Sequence, residues 1–342
     1  MTGVVLGVDV GGTTTAAGLV TAAGEVLLEA QVPTHGAGPG RALETITELI
    51  ESLRDEAVRR GTTIEGIGVG VPGIVEPESG RIGNEIHHVP ELAGRPLASL
   101  LAARFDVPVF VDNDVNALAL AEWTFGTARG VRSLVVLAAG TGFGAGIVLD
   151  GRLVRGARGF GGEFGHAPVK FDGRPCWCGG RGCLAVYASG RGIAEAARER
   201  AGRSGAEPSM DADPGAVTAA LVFRRAAEGD SVAAAVIDEA CWALGAMIAT
   251  IVNGLNPEAV LVTGGVAASF ATLEPRILAA AAEHALERAL TGTTVRIVPG
   301  DKRVTMRGPA ALVLYELERR SERATSSARP GGGRPRGYGA DE

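Results

Sequence analysis

The chain is poor in cysteine and histidine, carries no excess of positive charge and has no long apolar run, and each shortage removes a class of protein. Four cysteines among 342 residues, three of them in one loop, argue against a disulfide framework. The fourth, Cys241, falls in a helical apolar stretch and reads as an inert core thiol. A net charge of -6 gives no general attraction to nucleic acid or to an anionic membrane. The longest apolar stretch, Ala240 to Val252, is too short to span a bilayer and reads as a buried core helix. No charged leader with an apolar segment and cleavage site precedes the first strand-like run, so a cytoplasmic protein is expected. With 46% hydrophobic and 21% charged residues the chain has ample core material, and its length suggests about two domains.

Against this scarcity, one segment is dense in chemistry. From Gly159 to Ala185 the chain reads GFGGEFGHAPVKFDGRPCWCGGRGCLA, which gathers His166, Cys176, Cys178 and Cys183 into a turn-rich stretch. One nitrogen and three sulfurs make a tetrahedral ligand set of the kind zinc takes. The single residue between Cys176 and Cys178 departs from the usual two-residue spacing, and three reduced thiols are the competing reading. Free cysteines are usually buried, whereas Gly173, Pro175, Gly179, Gly180 and Gly182 argue for a surface turn. Glu163, three residues before His166 and outside the ligand set, is placed for a substrate.

The rest of the chain alternates strand and helix patterns. Val4 to Val10, Thr15 to Val20 and Val26 to Val32 read as strands, and Asp9, Gly11, Gly12 and Thr13 form a hairpin tip. Its glycines let backbone approach an anion, and Asp9 is positioned to orient magnesium, although D-x-G-G is also a common plain turn. A helix is expected from about Arg41 to Arg60 and a strand from Ile64 to Val71. A long functional loop follows from Ile74 to Pro96, in which His87 and His88 read as solvated. Val107 to Val111 delivers Asp112, Asn113 and Asp114 to the strand-to-helix position where open α/β sheets contact ligands. Asp114 there is a base or a substrate clamp, or alternatively a helix N-cap.

The opening pattern recurs as Leu134 to Leu137, then Gly140, Thr141, Gly142 and Gly144, then Ala145 to Leu149. This echo suggests two related halves, each presenting a glycine tip to a shared cleft. Neither tip has the spacing of a Walker loop or a dinucleotide fingerprint. Helices are expected over about 188–201, 214–227, 231–254, 270–289 and 309–320, strands over 259–262 and 294–298, and a third glycine turn at Gly264 and Gly265. Beyond Ser321 the composition reads as a disordered tail.

Taken together, Asp9-x-Gly11-Gly12-Thr13, Val71-Pro72-Gly73, Asn113-Asp114-x-Asn116-Ala117, Gly140-Thr141-Gly142-x-Gly144, Gly162-Glu163-x-Gly165-His166 and the cysteine knuckle resemble the ROK family of sugar kinases and repressors. The resemblance implies an actin-like ATPase (ribonuclease H-like) α/β fold of two domains with a cleft between them. These would be 1–113 plus about 293–320, and 114–292, with 321–342 as the tail. It implies that Asp9, Gly11, Gly12 and Thr13 approach ATP and Mg2+, that Thr141 and Gly142 hold phosphates from the other side, and that Gly264 and Gly265 lie near the nucleotide. Asn113, Asp114, Glu163 and His166 would contact the sugar, with Asp114 as general base, and His166, Cys176, Cys178 and Cys183 would hold structural zinc. A homodimer is also implied.

One departure stands out: the family pattern after the last cysteine is Cys-Leu-Glu, and that glutamate contacts the sugar near its anomeric end, whereas here it is Ala185. The implied activity is ATP-dependent phosphorylation of a hexose hydroxyl, glucose to glucose 6-phosphate. The alternative is a modified sugar or cyclitol, such as the aminosugar kanosamine or a C7-cyclitol. A sugar-responsive repressor is the reading from another class; it would need a helix-turn-helix ahead of the first strand, for which no room is expected before Val4.

Overall fold

A computed structural model of the chain describes residues 3–84, 86, 88–204, 217–300 and 302–327. The first sheet is built from β1 (Gly3–Val10), β2 (Thr14–Thr21) and β3 (Val26–Pro33), then, after α1 (Ala42–Arg59), β4 (Thr63–Val71), and, after α2 (Leu97–Phe105), β5 (Val109–Asn113). The next helix, α3 (Asp114–Thr124), leads into a second set. This comprises β6 (Leu134–Ala139), β7 (Phe143–Leu149), β8 (Arg152–Leu153), α4 (Ala185–Ala188), α5 (Gly190–Ser204), α6 (Ala219–Ala227), α7 (Ser231–Leu255) and β9 (Ala259–Thr263). It continues through α8 (Ala267–Ala271), α9 (Glu274–Ala282), α10 (Glu287–Gly292), β10 (Thr294–Ile297) and α11 (Lys302–Ser327).

The two sheets repeat one another. The first has the order β3-β2-β1-β4-β5 and the second, read from its other edge, β8-β7-β6-β9-β10. In each, the first three strands form an antiparallel meander, and the last two add in parallel beside the first. The internal echo of the sequence is thus a repeat of topology. Strand β10 completes the second sheet, and α11 returns to pack on the first.

Helices α3 and α11 pack on each other between the sheets, and each crosses over. The first follows the last strand of sheet one but lies on β7, while the second follows the last strand of sheet two but lies on β1 and β4. Glycines in the strands make the close approach possible. A Cβ at Gly68 would stand 1.8 Å from the Pro309 carbonyl oxygen, and one at Gly146 would stand 2.6 Å from that of Val115. Ala119, Leu120, Ala310 and Leu312 seal this central layer. Outside it, α1 covers sheet one with Ile46, Leu49, Ile50 and Leu53, and α2 adds Leu97 and Leu101.

Helix α7 is the spine of the outer layer of the second sheet. It is long and apolar enough, by length and composition, to cross a bilayer, which its central apolar run alone did not suggest. However, 67% of its apolar window is buried inside the protein. Cys241 lies there, buried, with its thiol pushed up to about 11 by burial.

Three expectations give way to tertiary structure. The helix expected over 270–289 is three helices. Leu273 leaves the helical region as the N-cap of α9, and Pro275 stands in the first turn of that helix, where its missing N–H costs nothing. The next break is held by Asn253 of α7, whose Nδ2 donates to the His284 carbonyl (2.9 Å) and whose Oδ1 accepts from the Leu286 N–H (2.8 Å). The last helix does not start at Pro309 but carries it inside α11, where the Gly308–Pro309 backbone fits against sheet one and α3. Residues 321–327 belong to that helix rather than to a tail, and the remainder of the expected tail, 328–342, lies outside the described residues. The start of the helix expected from 214 does so too.

Candidate active site

The first glycine tip joins β1 to β2. The Gly11 N–H donates to the Thr14 carbonyl (3.0 Å). Buried Thr34 braces the turn from behind, its hydroxyl donating to the Gly11 carbonyl (2.6 Å) and lying 3.0 Å from Thr15 Oγ1. Thr13 is exposed at the apex. Gly12 abuts His88, whose Cβ lies 2.8 Å from where a Cβ on Gly12 would stand. His88 is exposed as expected, and His87 lies outside the described residues.

The second tip joins β6 to β7, closed by the Gly140 N–H donating to the Gly142 carbonyl (3.0 Å). Its outer carbonyls anchor the start of α5: Gly140 O accepts from Gly190 (2.8 Å) and Thr141 O from Arg191 (3.1 Å). The third turn packs beneath it. Gly264 has φ +106°, and a Cβ there would strike the Ala139 carbonyl oxygen at 2.6 Å. By contrast, a Cβ on Gly140, Gly142 or Gly265 would meet nothing within 4 Å. These three positions leave bare backbone bordering open space.

Strand β5 ends at the start of α3, between the two tips. Asn113 is the N-cap: its Oδ1 accepts from Val115 (2.9 Å) and Asn116 (3.2 Å), and its Nδ2 donates to the Gly73 carbonyl (3.0 Å). The capping role considered for Asp114 therefore belongs to its neighbour. Asp114, the first helical residue, accepts from the Val115 N–H at 2.9 Å.

The segment from Gly159 to Ala185 begins with a single 3-10 turn, Phe164–His166, entered from Glu163. Residues three apart eclipse in such a turn, so Glu163 and His166 fall on one side. Beyond it, the knuckle is a net of tight turns. The Cys176 N–H donates to Gly180 O (2.9 Å), Gly179 N–H to Cys176 O (3.0 Å) and Gly182 N–H to Arg174 O (2.8 Å). The four ligand atoms of His166, Cys176, Cys178 and Cys183 lie within 4.8 Å of one another. A zinc tetrahedron with Zn–S about 2.3 Å and Zn–N about 2.0 Å requires S···S near 3.8 Å and N···S near 3.5 Å. Cys178 and Cys183 sulfurs stand 3.8 Å apart, and His166 Nδ1 stands 3.6 Å from Cys176 Sγ. The donor set fits a tetrahedral metal, with Nδ1 as the ligand and Nε2 left over. Ala185 begins α4 and is 1% exposed, enclosed in the core of the second half.

Electrostatics ties these pieces into one line. Asp9 has its carboxyl pushed up to about 7, first by burial and then by the charge of Asp114. Asp114 is pushed up to about 6 by burial, with Glu163 adding to the rise and hydrogen bonds opposing it. Glu163 keeps an exposed surface, yet its carboxyl is raised by desolvation against the pull of His166. The sequence order 9, 114, 163, 166 is therefore also a spatial order, running from the first tip to the knuckle. The second tip and third turn form a separate group, joined to the line through β7, which packs on α3. A surface concavity of about 300 Å3 lies elsewhere, lined by Trp123, Tyr315, Arg152 and Arg319, and includes no residue of the line. Sequence reasoning missed Thr34, the contact of His88 with the first tip, and Arg155. Arg155 pairs with Asp112 and Glu316, 43 and 161 positions away, and no local pattern marks it.

The model of the ROK family matches residues 5–316. A glucokinase from Halalkalibacterium halodurans is 36% identical over 298 residues, covering 85% of this chain and 89% of the relative. A xylose repressor from Caldicellulosiruptor bescii is 35% identical over 265 residues, covering 76% of this chain and 65% of its own length. Among solved structures, the ROK glucokinase of Streptomyces griseus, in complex with glucose and AMPPNP, superposes with a TM-score of 0.67 at 28% identity, over 90% of this chain and 98% of that one. With matching motifs, sheet topology and relatives along nearly its whole length, the chain belongs to the ROK family.

Proposed function

We propose that the protein is an ATP-dependent sugar kinase that transfers the γ-phosphoryl group of ATP to a hexose hydroxyl, with glucose to glucose 6-phosphate as its reaction. The observation that carries this reading is the carboxylate line from Asp9 through Asp114 to Glu163, flanked by glycine turns with open space beside Gly140, Gly142 and Gly265. Gly11, Gly12 and Thr13 approach the phosphates from one half, and Thr141 and Gly142 from the other, with Gly264 and Gly265 beside the nucleotide. Asn113, Asp114, Glu163 and His166 Nε2 face the sugar hydroxyls.

Asp114 accepts the hydroxyl proton as the new O–P bond forms. It does not remove the proton beforehand, because the hydroxyl is far less acidic than a carboxyl. The rest of the acceleration comes from alignment of the hydroxyl with phosphorus and from backbone N–H groups directed at the phosphate oxygens. Asp9 fits a magnesium ion, since its raised pKa and the nearby Asp114 charge mark a site that a cation stabilises. Mg2+ there would neutralise phosphate charge. Zinc in the His166, Cys176, Cys178, Cys183 set is scaffolding that fixes the ring of His166 for the sugar. Residues 1–113 with 298–327 form one lobe and 114–297 the other, and their closure limits ATP hydrolysis by water. The protein acts in the cytoplasm as a homodimer.

Ala185 favours a second reading, in which the substrate is an aminosugar or cyclitol lacking the group that the family glutamate holds. Losing one charged hydrogen-bond acceptor from a closed site is worth about 1.5–3 kcal/mol. A coupled ADP-release assay over glucose, mannose, N-acetylated hexosamines, aminosugars and cyclitols separates the two, run on wild type and Ala185→Glu, with thermal unfolding of both. Efficient glucose turnover by the wild type supports the first reading. Turnover confined to a modified substrate supports the second. Specific DNA binding without ADP release on any sugar would support a repressor instead.

A further inference from the structure

Behind the catalytic strand end lies a buried ion cluster that the proposed chemistry does not use directly. Asp112, with its side chain 3% exposed, is the second-last residue of β5, two residues before Asp114. Its Oδ2 accepts from Arg155 Nε at 2.5 Å. Its other oxygen accepts from the Asn113 N–H (2.8 Å) and from Asn116 Nδ2 (2.9 Å). Arg155 follows β8 and is itself only 18% exposed on its side chain. Its Nη2 donates to Glu316 of α11 at 2.6 Å. The backbone of the same arginine holds the start of the sugar-facing segment, since the Gly161 N–H donates to the Arg155 carbonyl (2.8 Å). That segment crosses to the other half at Gly159, where a Cβ would lie 2.2 Å from the Val75 carbonyl oxygen.

One residue thus touches three parts at once: the strand that aims Asp114, the loop leading to Glu163 and His166, and the crossover helix α11. A guanidinium presents donors in a planar fork that serves two carboxylates in fixed directions, which an ammonium does not. Two carboxylates around one cation also leave the cluster net negative, so removing the cation would strand Asp112 in the interior.

We propose that Arg155 is a positioning residue for phosphoryl transfer: it locks the Asp114 strand end to the Glu163–His166 turn across the two halves. The inference rests on the kinase reading above. Among the described residues, no hydrogen bond or ion pair joins the arginine to the glycine tips, so its loss acts on the alignment of sugar and base and leaves nucleotide binding alone. A misplacement of about 1 Å lowers a rate by about 100-fold.

The test compares wild type, Arg155→Lys and Arg155→Gln in steady-state sugar phosphorylation at 25 °C, with thermal unfolding and the ratio of ADP formed to sugar phosphate formed. Arg155→Lys keeps the charge, and so remains measurable where the neutral variant fails to fold. Expected for Arg155→Lys is a kcat lower by about tenfold or more, KM for ATP within twofold, and a rise in ADP formed per sugar phosphate. A folded Arg155→Gln falls further. If Arg155→Lys retains kcat within twofold, or loses activity only by a matching rise in KM for ATP, Arg155 is structural and the inference is overturned. If the wild type transfers no phosphoryl group to any sugar, the kinase reading itself fails, and this inference with it.

Discussion

Two carboxyl groups, on Asp9 and Asp114, are held where neither ionises easily, and that tension makes both roles measurable. Asp114→Asn removes the proton acceptor while preserving shape, so kcat should fall by about 100-fold or more with no loss in thermal stability. Near-normal turnover would show that another group is the base. With Asp114 raised to about 6, kcat/KM of the free enzyme should decline below roughly pH 6 as the base becomes protonated. A flat profile between pH 5 and 8 would be incompatible with this role.

Asp9 carries the linked stability effect. Its pKa is raised from 3.8 to about 7, so its favourable contribution is full below about pH 4 and is lost as the pH rises through 7. In ligand-free protein, Asp9→Asn should therefore stabilise at pH 8, by about 2–4 kcal/mol allowing for partial exposure. The gain should vanish near pH 4. Urea denaturation at the two pH values reads this directly, and equal stability of the two proteins at pH 8 would remove the case for a strained carboxylate.

Among elements, the knuckle and α11 show what short-range pattern reveals and what it hides. The knuckle is legible because its ligands lie within eighteen positions, and glycine and proline between them force the turns. The three-residue spacing of Glu163 and His166 was likewise visible, and the 3-10 turn over Phe164–His166 is what puts the pair on one side. Metal content should be one zinc per chain. Removing it by chelation, or weakening the site with Cys178→Ser, should lower Tm by several degrees and raise KM for the sugar ahead of that for ATP. Unchanged sugar KM in metal-free, folded protein would detach the knuckle from the substrate.

Helix α11 was hidden because a proline usually opens a helix. Here the contact of its backbone with the glycine floor of sheet one overrides that preference. Gly68→Ala would force the Pro309 carbonyl away and should destabilise by about 3 kcal/mol or more, seen as a lower urea midpoint. The break between α9 and α10 and the Arg155 cluster were illegible for a related reason: their determinants, Asn253, Asp112 and Glu316, lie far away in the chain.

For the whole molecule, the repeat of sheet order is the property that the glycine tips foreshadowed. Each half supplies one tip and one crossover helix, and Asp114, the proposed base, sits where the chain first passes from one half to the other. The passage back, by α11, has its own meaning for synthesis. The first sheet is complete by residue 113, but one whole face of it, floored by glycines, waits for a helix that begins at residue 302. At about 5–20 residues per second, an emerging chain spends roughly ten to forty seconds with that face uncovered. The amino-terminal half therefore cannot finish folding on the ribosome before the carboxyl-terminal helix emerges. A newborn chain must either find temporary cover there or risk pairing with a neighbour.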